Sequence, residues 1–143
     1  MKTDLSKAAE ILKSGEYTCV LCKGEETVTY TERGVKPLLD LLDSEKGLNG
    51  FSPADKVVGK AAAFLYILLE VKTVYAPVMS LSAIHLFEAN GVFFRYDVSV
   101  ENIINRSGTG ICPMEEAVKE LSVPEEALKA IRKRLSELQS RSA

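Results

Sequence analysis

Tryptophan is absent from this 143-residue chain, and histidine occurs once, at His85. A catalytic zinc ion needs three protein ligands around one open position, and a single histidine supplies only one of them. The same scarcity leaves no assembly of a Ser-His-Asp triad. Cysteine is sparse too. Cys19 and Cys22 form a lone CxxC in a run that reads as a strand, where residues three apart point to opposite faces. A straight strand holds their Cα atoms roughly 10 Å apart, beyond disulfide reach. Three cysteines cannot all pair internally, and the N-terminus MKTDLSKAAEILKSGEY lacks the apolar core of a signal peptide. Free thiols and a cytoplasmic location are therefore expected. No apolar run approaches the ~20 residues of a membrane span, the longest being residues 61–69. Positive charge is not in excess: 18 Lys and Arg against 20 Asp and Glu give a formal net charge of −2. Phosphate-backbone binding normally demands a basic face, so nucleic acid is a disfavoured partner.

What is present is an ordinary globular composition, 46% hydrophobic and 27% charged. Length and the absence of repeats predict one domain over 1–143, with a core of about 15–121 and a C-terminal helix over 122–143. Leu5, Ala8, Ala9 and Leu12 predict a helix over 3–14. Residues 17–23 and 27–31, separated by Gly24-Glu25-Glu26, predict a hairpin. Pro37 opens a helix over 34–43. Ser52-Pro53-Ala54-Asp55 reads as a capped helix start, so one buried helix is expected over 53–70, without strand anywhere in 57–67. Strands over 73–78 and 92–98 flank a helix over 80–90. Helices follow from Pro113 and from Ser122. This order calls for a mixed sheet of about four strands covered by helices.

Two places carry candidate chemistry. On the expected central helix, Lys56 and Lys60 share one stripe, and Asp55 and Gly59 the next. Glycine inside a helix costs about 1 kcal/mol against alanine, which points to a close approach at Gly59. Lys60 and Asp55 are then candidate catalytic groups, and Lys56 and Gly59 candidate ligand contacts. The plainer reading makes Asp55 a capping acid and lets both lysines lay their stems over the core. The second place is Asn105-Arg106-Ser107-Gly108-Thr109-Gly110-Ile111-Cys112-Pro113. Two glycines free the backbone N–H groups of Ser107, Gly108, Thr109 and Gly110 to face an anion beside Arg106, and Cys112 stands at a helix start, where a thiol is easily ionised. The plainer reading is an ordinary turn with Cys112 packed inward. The spacing of a Walker loop is absent.

The segments GVKPLLDLL (34–42), ADKVVGKAAAFLYILL (54–69), VYAPVMS (74–80) and INRSGTGICPMEEAV (104–118) together resemble a prokaryotic domain-of-unknown-function family. The resemblance implies a cytidine-deaminase-like fold, a three-layer α/β/α arrangement. Zinc deaminases of that fold place a His or Cys and a Glu at the start of the central helix and a PCxxC at the next helix start. The matching places here read Ala54-Asp55-Lys56 and Pro77-Val78-Met79-Ser80, without a ligand thiol or imidazole. The resemblance thus implies neither metal nor other cofactor, and a cleft where Asp55, Lys56, Lys60 and the glycine loop meet. The expected function is binding of a small anionic molecule, a nucleotide or phosphorylated metabolite, with Cys112 and Lys60 as the reacting groups if there is a reaction. The competing expectation is a non-catalytic sensing or interaction domain. Homo-oligomerisation is left open by the sequence.

Overall fold

Leu5, Ala8, Ala9 and Leu12 form the buried face of α1 (Asp4–Ser14) in the computed structural model, which describes residues 3–105 and 107–142. The helix begins where Thr3 Oγ1 accepts the Ser6 N–H at 3.1 Å, the usual N-cap geometry. Next come β1 (Cys19–Lys23) and β2 (Glu26–Tyr30), an antiparallel hairpin turned at Gly24. α2 (Lys36–Asp43) carries Pro37 in its first turn, as its sequence predicts.

The segment that follows corrects the expected central helix. Ser52–Asp55 is a strand, β3, and Val57–Val58 a second short strand, β4. The helix, α3 (Lys60–Leu68), begins only after Gly59. An apolar run without clear periodicity fits a buried strand as well as a buried helix, and two consecutive β-branched valines favour the strand. Partners decide the matter: β3 lies antiparallel to β1, with Cys19 opposite Asp55, and β4 lies parallel to β5 (Thr73–Ser80). Lys56 and Lys60 consequently share no helical stripe. Lys56 is exposed at the break between the two strands, and Lys60 is the first residue of the helix.

β3 is also parallel to β5, with Ala54 opposite Tyr75, and β6 (Phe93–Val100) pairs with β5 in parallel from Thr73↔Phe93 to Ser80↔Val100. Because Tyr75 faces both Ala54 and Arg95, β6 lies on the far side of β5 from β3 and β4. The sheet is mixed and six-stranded rather than four-stranded, the increase arising from the reassigned segment. α4 (Leu81–Ala89) connects β5 to β6, and α5 (Pro113–Val118) and α6 (Pro124–Ser142) follow. Six helices and six strands are thus described.

Alternation along the strands sorts side chains into two clusters. Val20 and Cys22 join Ala54 and Tyr75 against α1. Cys19, Leu21, Val74 and Ala76 join the larger cluster around α3, where Ala63, Phe64, Leu65 and Tyr66 are fully buried. Ala127 and Ile131 of α6 close that cluster. A helix buried on every side needs no amphipathic stripe, which is why α3 is apolar all round. Among the described residues no helix is long and apolar enough to cross a membrane.

Candidate functional site

β4 and β5 run parallel and end together, Val58 beside Met79, so α3 and α4 start next to each other. In open α/β sheets this carboxyl end of parallel strands is where ligands settle. The start of α4 is capped internally: Ser80 is fully buried, and its Oγ accepts the Ala83 N–H at 3.2 Å. The start of α3 has no side-chain cap from its own first turn, because Gly59 stands at the N-cap position. Its orphan N–H groups are met from far along the chain. Glu115 Oε1 accepts the Lys60 N–H at 2.7 Å, and Oε2 accepts the Ala61 N–H at 2.8 Å. A carboxylate at a helix N-terminus also gains from the helix dipole.

Gly59 makes this possible by lacking a side chain. A Cβ there would overlap the Glu115 carboxylate and lie 2.7 Å from Ile103 Cγ1. The close approach expected at Gly59 is therefore observed, although the glycine precedes the helix and does not sit inside it. Burial raises the pKa of Glu115, against the lowering effect of the Ala61 and Lys60 N–H bonds and of the Lys60 charge. Glu115 and Glu116 stand in the first turn of their own short helix, α5. The side chain of Glu115 instead serves a helix 55 positions away in the chain, and no local pattern signals that.

Lys60 turns its Nζ to the Lys119 carbonyl at 3.0 Å, at the end of α5, and lies 5.7 Å over the Phe64 ring. A cation at a helix C-terminus is favourably placed. Cys112, half-buried, is the N-cap of the six-residue α5, and its N–H donates to the Ile103 carbonyl at 2.9 Å. Gly59, Lys60 and the backbone of Cys112 thus gather around Ile103 and Glu115.

Asp55 belongs to a separate group. Its carboxylate accepts the Tyr66 hydroxyl at 2.7 Å, and Cys19 Sγ lies 3.4 Å from the same hydroxyl. Burial pushes the Asp55 carboxyl up to about 6, although bonds from Tyr66 and from the Val57 and Lys56 backbones favour its charged form. Burial, together with the charge of Asp55, raises the pKa of the Tyr66 and Cys19 protons. A Tyr and a Cys held protonated beside an acid form a buried hydrogen-bonded chain.

The glycine loop is bonded largely to itself. Asn105 N–H donates to the Gly110 carbonyl at 2.8 Å, Gly108 N–H to the Asn105 carbonyl at 3.1 Å, and Thr109 N–H to Asn105 Oδ1 at 3.0 Å. Ser107 Oγ donates to the same Oδ1 at 3.1 Å. Gly108 takes φ +72°, the left-handed conformation that glycine adopts without strain. Ile104 and Ile111 bridge the base of this turn. Arg106 lies outside the described residues. Removing the organising side chain by Asn105→Ala is expected to cost about 1–2 kcal/mol of unfolding free energy, readable in urea melts. No loss would mean that the turn does not depend on Asn105.

Among the described residues no group of three or more His, Cys, Asp or Glu is placed to hold a metal ion. A groove of about 210 Å³ between α2 and α6, bridged by Arg132 Nη2 and Asp43 Oδ1 at 2.7 Å, involves none of these candidates.

Residues 7–135 match the TM1506 family, described as a domain of unknown function, DUF1893. This chain belongs to that family. Its fold is similar to the crystal structure of a DUF1893 family protein (TM1506) from Thermotoga maritima, with a TM-score of 0.82 and 28% identity. The match covers 96% of this chain and 92% of that one. No curated protein matches the sequence.

Proposed function

We propose that this DUF1893 domain is a zinc-independent binding module of cytidine-deaminase-like, three-layer α/β/α architecture. Its site is the start of α3, held shut by Glu115 and opened by a small anionic ligand, a nucleotide or phosphorylated metabolite, that displaces it. One observation carries this reading: two α3 N–H groups already grip a carboxylate, one on each oxygen. The grip fits phosphate oxygens equally well, because it offers donors and a dipole without base-specific chemistry. Lys60, whose own N–H is one of those donors, would exchange the Lys119 carbonyl for the ligand's charge.

Two features set the ligand's task. It must replace charge-assisted bonds worth about 1.5–3 kcal/mol each, so binding without a second contact would be weak. It also relieves the desolvation of Glu115 by returning that side chain to water. A reading without any ligand, as a protein-interaction domain, is favoured by the self-bonded loop at Asn105–Gly110, which keeps its donors for itself.

The experiment is a thermal-shift comparison of wild type and Glu115→Ala against inorganic phosphate, nucleotides and sugar phosphates. The variant should bind at least one of these more tightly, with a rise in Tm of roughly 6–12 °C at hundredfold excess over Kd. Failure of both proteins to respond at millimolar concentrations would eliminate the anion site and leave the interaction domain.

A further inference from the structure

β6 (Phe93–Val100) pairs with β5 alone among the described strands, which leaves its other edge open. It runs for eight residues without proline or lysine, and its only charged residues are Arg95 and Asp97. Phe93 is 61% exposed, Val98 55% and Tyr96 40%.

We propose that a second copy of this chain pairs antiparallel with β6, about a two-fold axis passing beside Tyr96. This goes beyond the α3 site and does not depend on it. The argument begins with the backbone. Phe93 N–H donates to the Lys72 carbonyl at 2.9 Å. In a parallel ladder the same side of the strand recurs every second residue. Phe93, Arg95 and Asp97 therefore spend their backbone groups on β5, while Phe94, Tyr96 and Val98 point theirs outward. A register centred on Tyr96 sets Tyr96 against its own copy and Phe94 against Val98. These are the residues whose N–H and C=O are free, so about six backbone hydrogen bonds form.

The side chains select the same register. Directly opposed residues share a face, so Arg95 meets Asp97 of the second copy, and Asp97 meets Arg95, on one side of the extended sheet. On the other side Phe94, Tyr96 and Val98 of both copies form a single apolar stripe, continuing the stacking of Phe94 on Tyr96 at 6.3 Å. Shifting the register by two residues opposes Arg95 to Arg95 or Asp97 to Asp97, and parallel pairing opposes both. Of these arrangements, the one centred on Tyr96 satisfies backbone and charge together. Arg95 makes no ion pair among the described residues and lies 5.3 Å over the Tyr75 ring, with Asp97 accepting the Tyr75 hydroxyl at 2.6 Å. Tyr75 thus holds both charged residues on one face of the sheet, where Lys13 Nζ also lies 3.7 Å from Asp97 Oδ2.

Sedimentation equilibrium or light scattering tests this directly. Wild type should show twice the chain mass of 15.7 kDa. Arg95→Asp and Asp97→Arg, each purified alone, place like charges opposite each other and should raise the dimer dissociation constant about tenfold or more. Mixed in equal amounts they become complementary, and a heterodimer should form. The mixture distinguishes register from misfolding, because an unfolded variant cannot be rescued by its partner. A monomeric wild type at 100 μM, or a dimer indifferent to both substitutions and to their mixing, would overturn the proposal. In the first case the edge is free for a strand from another protein.

Discussion

Replacing Gly59 by alanine is expected to lower the free energy of unfolding by roughly 2–4 kcal/mol. The added Cβ would overlap the Glu115 carboxylate and crowd Ile103. Neither neighbour yields freely. Glu115 is tied to two N–H groups by short bonds, and Ile103 is anchored by its carbonyl to Cys112. Overpacking alone costs about 1–3 kcal/mol, and expelling the carboxylate leaves the first α3 donors unpaired for a similar amount. Backbone conformation contributes little, because Gly59 has φ −104° and ψ −172°, which alanine adopts readily. Urea unfolding of Gly59→Ala, Glu115→Ala and the double variant separates the causes. If the clash with Glu115 dominates, the double variant is less destabilised than the sum of the two. Strict additivity would assign the role of Gly59 to Ile103 or to other packing.

The second large effect concerns pH. Burial pushes the Asp55 carboxyl up to about 6 in the folded chain, against 3.8 for the ordinary group. The folded state therefore holds this proton more tightly than the unfolded state does. Its stabilising contribution is complete below pH 3.8 and is lost as pH rises through 6. Between pH 7 and pH 4 the domain should gain roughly 2 kcal/mol from this group. Glu115, also raised by burial, acts in the same direction. Most proteins lose stability over that range as their paired carboxylates protonate. The measurement is the unfolding free energy from pH 4 to pH 7 for wild type, Asp55→Asn and Glu115→Gln. Asp55→Asn should remove most of the gain, since a neutral amide no longer titrates. A profile unchanged by Asp55→Asn would show that burial at the end of β3 does not perturb this carboxyl.

Local elements were legible where a single contact surface governs them. The α1 face of Leu5, Ala8, Ala9 and Leu12, the hairpin around Gly24, the proline in the first turn of α2 and the extent of α4 follow from spacing and turn chemistry within a few residues. The separation of Cys19 from Cys22 follows from the two-residue period of a strand, which sends one to each cluster. The segment 52–58 is a strand against its local pattern, because Ser-Pro-Ala-Asp suits a helix start locally, while its strand conformation depends on β1 and β5. An isolated stretch has no means of showing which neighbour will supply its hydrogen bonds.

The candidate site divides along the same line. The sequence by itself determined that Gly59 admits a close neighbour, that the chain has a single histidine, and that Cys112 precedes a proline-led helix. Only the tertiary structure decided that the neighbour is Glu115, that Asp55 joins Tyr66 and Cys19 and is separate from the lysines, and that the glycine loop bonds to itself. Glu115 reaches α3 across 55 positions and Tyr66 reaches Cys19 across 47. Contacts at such separations are set by how the sheet and α3 pack together, because burial of apolar surface is non-directional and leaves the choice of polar partner to geometry.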